Sequence, residues 1–160
     1  MRNRRRTPYV LLAAVVAMIA AVPFAWAAGN CSFVTVTGVS FGTYNVFAGG
    51  PLDSTGSVSF QCNPGAAGST VIVTFSAGSS GSFMQRDMLS GTDQLRYNLY
   101  LDPTRTTVWG DGSGGSSTFS VTLPARGWST ITQSVYGRVT PGQNVGPGAY
   151  VDTITVTMNW

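Results

Sequence analysis

Residues 149–160, AYVDTITVTMNW, place Tyr150, Ile154, Val156, Met158 and Trp160 on one side of an extended chain. Val151, Thr153, Thr155, Thr157 and Asn159 fall on the other. This period of two, built mainly from β-branched and aromatic residues, predicts a strand with one buried face. The same signature recurs upstream in FVTVTGVSF (33–41), SVSFQC (57–62), TVIVTFSA (70–77) and LRYNLYLD (95–102). It continues in TTVW (106–109), STFSVTLP (117–124) and ITQSVYGRV (131–139). Between the runs stand AGGP, NPGAAGS, AGSSGS, DPT, GDGSGG and TPGQNVGPG, which carry turn chemistry. No helical periodicity is sustained after residue 30. Many short strands at this spacing predict an all-β sandwich or small barrel. Its inward positions are Val58 and Phe60, then Val71, Val73 and Phe75, then Leu95, Tyr97, Leu99 and Leu101, and finally Phe119, Val121 and Leu123. Tyr100 competes with Leu99 for the inward side.

The first 27 residues read differently. Arg2, Arg4, Arg5 and Arg6 form a basic head, YVLLAAVVAMIAAV forms a short apolar run, and Ala25 and Ala27 complete an A-x-A site. This is the pattern of a secretory signal helix cleaved after Ala27, leaving residues 28–160 as one domain. An uncleaved membrane anchor is the rival reading, but the run is short for a span and Pro23 lies near its end. Four of the nine basic residues leave with the leader, so five arginines face six aspartates and the mature net charge is −1. The basic balance of the full chain belongs to the export signal and gives no footing for nucleic-acid binding.

The residues that are missing narrow the chemistry further. There is no His in the chain, hence no imidazole base for a nucleophile and no imidazole metal site. Cys31 and Cys62, two cysteines in an exported chain, point to one intrachain disulfide. Lipidation at Cys31 would strand Cys62, and AGN is a poor motif for it. Asp53, Asp87, Asp93, Asp102, Asp111 and Asp152 show no obvious pairing, and several sit in turns, so no catalytic residue, metal or cofactor is expected. Trp109 and Trp128 lie near loops, where an exposed ring could stack on a sugar. The plainer reading is that such rings plug the ends of the core, with the indole N–H on a backbone carbonyl.

Four blocks carry a resemblance: FGTYN (41–45), YNLYLDPTRTTVWGDG (97–112), VYGRVTPGQNVGPGAY (135–150) and DTITVTMNW (152–160). Together they resemble the spore coat protein U domain family, which includes the pilin subunits of archaic, Csu-type chaperone–usher pili. The resemblance implies an immunoglobulin-like β-sandwich lacking its last strand, with Cys31 and Cys62 at the family's disulfide positions. It implies an acceptor groove, one wall of which is the strand bearing Ile154, Val156, Met158 and Trp160. It implies as partners a periplasmic chaperone, an outer-membrane usher and neighbouring pilin or coat subunits, with passage through the periplasm to a surface pilus or spore coat. No nucleic acid or small-molecule substrate is implied.

The sequence also departs from shaft subunits of that family. Cleavage after Ala27 leaves Ala28, Gly29 and Asn30 ahead of Cys31, a span of at most about 10 Å. The expectation is a subunit that accepts a strand and does not donate one. The alternative, from another class, is a self-contained secreted binding module for carbohydrate or a surface ligand, with Trp109 or Trp128 as its platform.

Overall fold

The computed structural model describes residues 29–160. The expected leader, residues 1–27, lies outside the described residues. Eight strands form two sheets: β1 (Cys31–Thr37), β2 (Leu52–Cys62), β3 (Thr70–Phe75), β4 (Arg86–Ser90), β5 (Asp93–Tyr100), β6 (Phe119–Thr122), β7 (Ser129–Val139) and β8 (Val156–Asn159). The large sheet runs β1-β2-β7-β5-β4 and the small one β6-β3-β8. All the strand pairings are antiparallel. The all-β sandwich expected from the alternation is the observed architecture.

The spine of the large sheet is the β2–β7 pair, in register along its whole length from Leu52↔Val139 to Cys62↔Ser129. Every second residue points inward, so Val58, Phe60, Cys62, Val135 and Val139 are buried. Val71, Val73 and Phe75 of β3 meet them from the small sheet. Leu95, Tyr97 and Leu99 take the inward side of β5, which settles the competition with Tyr100 in favour of Leu99. The disulfide joins Cys31 to Cys62, a registered pair at one end of the β1–β2 ladder.

Three expectations change. The run at 106–109 makes isolated bridges, Tyr100↔Val108 and Trp109↔Ser117, because the chain there packs one indole into the core rather than forming a ladder. β4, Arg86–Ser90, is a strand that no alternation announced, since its first residues are a buried Arg and a buried Asp. The terminal run forms a strand only over β8; upstream of it, Val151 bridges to Leu89 at the edge of the large sheet. Residues 151–156 therefore cross from one sheet to the other.

Candidate functional site

The two sheets have unequal widths, five strands against three. Among the described residues, part of the inner face of the large sheet has no strand over it. There a groove of about 1160 Å³ opens, with Val58, Leu95, Tyr97, Leu99, Val135 and Val139 contributing to its floor. One wall is residues 36–47, the end of β1 and the segment after it; the other is residues 145–152 with Ile154 and Val156. The first wall is held by close packing on β7. A Cβ at Gly137 would lie 2.6 Å from Val39 Cγ1 and 2.7 Å from Phe41 Cζ, so any other residue there would have to push both side chains off β7. Phe41 then meets the Tyr97 ring edge-on at 5.9 Å.

The second wall ends in a strand with an unpaired side. Among the described residues β8 pairs with β3 alone, as Ile72↔Asn159, Val73↔Met158, Thr74↔Thr157 and Phe75↔Val156. The Ser76 N–H donates to the Thr155 carbonyl at 3.0 Å, which sets the phase of the ladder. Odd-numbered residues of β8 thus turn their backbone groups to β3, while Val156 and Met158 turn theirs to the free edge. The side chains of Val156 and Met158 are half-buried against the core, and those of Thr155 and Thr157 face solvent. Ile154 and Val156 line the groove; Met158 and Trp160 lie beyond its lining. The Trp160 indole N–H instead donates to the Gly29 carbonyl at 3.2 Å.

Asp152 is a polar residue on the apolar side of the terminal run, and it anchors the groove. Its carboxylate accepts the Tyr97 hydroxyl at 2.6 Å. It also accepts the Ser79 hydroxyl at 2.6 Å and the Ser79 N–H at 2.9 Å. Burial, reinforced by this hydrogen bond, raises the Tyr97 phenol above its ordinary value and keeps it a donor. Next to this network lies Arg86, fully buried, its guanidinium donating to Ser76 O (2.9 Å), Trp109 O (2.7 Å) and Asn98 Oδ1 (2.6 Å). Burial lowers its pKa, yet as an arginine it stays charged. With the Ser76 carbonyl turned to Arg86, the Ser76 hydroxyl takes its place and accepts the Thr155 N–H at 2.9 Å. Arg86 and Asp152 thus position the start of β8 from two sides. The sequence carried one sign of Asp152, a carboxylate interrupting an apolar alternation; it carried none of Arg86's partners.

The two tryptophans separate. Trp109 is fully buried, stacked on Phe75 at 4.1 Å, with its indole N–H on the Val73 carbonyl at 3.0 Å. It offers no face to a ligand, so the platform role weighed for it is corrected to a core plug. Trp128 is 66% exposed. Among the described residues no three of His, Cys, Asp or Glu gather to hold a metal ion.

The fold and groove define a two-sheet β-sandwich with a free-edged strand beside an open stretch of core. The chain belongs to the Spore Coat Protein U domain family, which matches residues 16–157. Protein U of Myxococcus xanthus is 36% identical over 149 residues, covering 82% of this chain and 78% of the relative. Two solved structures share the fold. One is the CsuC–CsuE chaperone–tip adhesion subunit pre-assembly complex from archaic chaperone–usher Csu pili of Acinetobacter baumannii, at TM-score 0.55 and 22% identity. The match covers 82% of this chain but only 40% of that one. The other is a chaperone–usher pilus whose structure addresses rod uncoiling, at TM-score 0.53 and 16% identity over 96% of this chain and 99% of that one.

Proposed function

We propose that this chain is an exported structural subunit, without enzymatic activity, of a surface pilus or spore coat, and that its groove accepts a β-strand from another molecule. The observation that carries this reading is the free edge of β8 beside the uncovered core. A strand laid there would bond to the backbone groups of Val156 and Met158. Its alternate side chains would fill the space over Tyr97, Leu99 and Val135. That is β-strand addition, in which the backbone supplies affinity and the inward side chains supply register. A bare apolar edge is an aggregation hazard, which gives a chaperone its role during transit through the periplasm.

The family and its relatives support the partners: a periplasmic chaperone first, an outer-membrane usher, and a neighbouring subunit last. Of the terminal run, Ile154 and Val156 line the accepting groove, Met158 offers its backbone at the free edge beyond that lining, and Trp160 follows at the end of the strand. With the leader removed after Ala27, the short segment ahead of Cys31 does not reach a neighbour's groove, so the subunit accepts without donating.

The test compares the bare exported chain with one extended after Trp160 by a turn and an alternating Val/Thr strand. The extended chain is expected to be monomeric and to melt at a markedly higher temperature, while the bare chain self-associates. A bare chain that is a monomer, melts cooperatively and gains nothing from the extension would overturn the proposal in favour of a self-contained module. Trp128 would then be the first surface residue to examine.

A further inference from the structure

Trp160 follows β8, an edge strand of the small sheet, and Gly29 lies just before β1, an edge strand of the large one. The indole–carbonyl bond between them, 3.2 Å long, therefore crosses the interval separating the two open edges. The groove ends where this strut begins. Val36 and Val156 belong to its lining, whereas Phe33, Met158 and Trp160 do not. Phe33, registered opposite the buried Phe60, remains 38% exposed beyond that limit.

The two ends of the strut are not equally free. Asn30 exchanges bonds with Asn63, as donor to its Oδ1 at 3.1 Å and as acceptor from its N–H at 2.9 Å. Cys31 is fixed by the disulfide. A Cβ on Gly29 would lie 2.8 Å from Ala66 Cα, so its backbone is seated against the turn after β2. The Trp160 side chain, 48% exposed, is the end that can swing.

We propose that Trp160 is the stop of the groove: the side chain that fixes how far a docked strand runs down β8, and so sets its register. The proposal rests on the strand-accepting reading above. A strand paired with the edge of β8 would meet the indole after Met158; going further means breaking the bond to Gly29 and displacing the ring. A firm stop matters because a slip of one residue turns every inward side chain outward.

The test uses the folded, disulfide-intact chain and synthetic peptides of alternating Val and Thr, flanked by lysines, of about six to about twelve residues. Affinity is followed by calorimetry against the wild type, Trp160→Ala and Trp160→Phe. In the wild type each added inward Val is expected to tighten binding roughly tenfold until a fixed length, after which affinity is flat. In Trp160→Ala the plateau is expected at a longer peptide. Trp160→Phe, which keeps a ring but loses the N–H, is expected between the two, and its profile decides the matter if the alanine variant does not fold. Peptides that bind all three proteins with one common length profile would overturn the stop and leave the strand-accepting reading intact. Failure of every peptide to bind any of the proteins would overturn both.

Discussion

The Tyr97 hydroxyl donates a 2.6 Å hydrogen bond to the Asp152 carboxylate, tying β5 on the groove floor to the segment that crosses toward β8. The bond sits between the two sheets, and the same carboxylate holds the Ser79 turn. Tyr97→Phe removes the donor without changing the ring. The expected loss is about 1.5–3 kcal/mol, the range for a hydrogen bond to a charged acceptor. Urea unfolding measures it. Tyr136→Phe, on the half-exposed outer face of β7, is the control and is expected to cost under ~0.5 kcal/mol.

Arg86 is the second tie, and its chemistry is hard to substitute. A lysine keeps the charge but lacks the planar fork that reaches Ser76 O, Trp109 O and Asn98 Oδ1 together. Arg86→Lys is expected to destabilise by about 3 kcal/mol or more, from several buried acceptors left unpaired. A lower urea midpoint at unchanged slope would identify this as lost stability rather than a changed unfolded state.

The surface ion pair gives a pH signature. Asp53 accepts two bonds from Arg138, at 2.7 and 2.8 Å, and lies 3.3 Å from Arg105. The Arg138 hydrogen bond holds its carboxyl below the ordinary value of 3.8. A folded-state value below the unfolded one means stability that is fully present above pH ~4 and is lost as the pH falls further. The side chain is 34% exposed, so screening limits the contribution to about 1 kcal/mol. Asp53→Asn is expected to lower the melting temperature slightly at pH 7 and to flatten its decline below about pH 4.

On β8, face should matter more than position. Val156→Asp puts a charge on the groove wall, while Thr157→Asp, one residue on, points to solvent. The first is expected to lower the amount of exported folded protein at least tenfold and the second less than twofold. Equal losses would contradict the assigned faces.

Cys31→Ser opens the loop to Cys62, a separation of 31 residues. In the chain-entropy picture the disulfide contributes roughly 3–4 kcal/mol. Thermal melts of the variant against the oxidised wild type are expected to show a drop of about ten to fifteen degrees, given a few degrees per kcal/mol at about this size.

How far the sequence could be read followed the range of the forces involved. Alternation alone turns Val58, Phe60, Val71, Val73 and Phe75 inward, and all are buried, because strand pleat is a local rule. β4 was invisible because Arg86 and Asp87 oppose the expected pattern. Arg86 is satisfied by residues from 76 to 109, which no local window contains. The first wall was half legible. Alternation puts Val39 and Phe41 at the end of a strand that in fact stops at Thr37, and their seat on Gly137 is a contact nearly a hundred residues away. Ile154 and Val156 line the groove, but the excursion of Trp160 to Gly29 depends on how two sheet edges face each other. Strand alternation carries no trace of that.

A sheet of five strands facing one of three has a thermodynamic corollary. When the last element of a core arrives from outside, the melting temperature is no longer a constant of the polypeptide. It climbs with the logarithm of the free concentration of whatever docks, by the law of mass action. On the proposed strand-accepting reading, a neighbour tethered in the assembly has an enormous local concentration, and the subunit there is far harder to unfold than in dilute buffer.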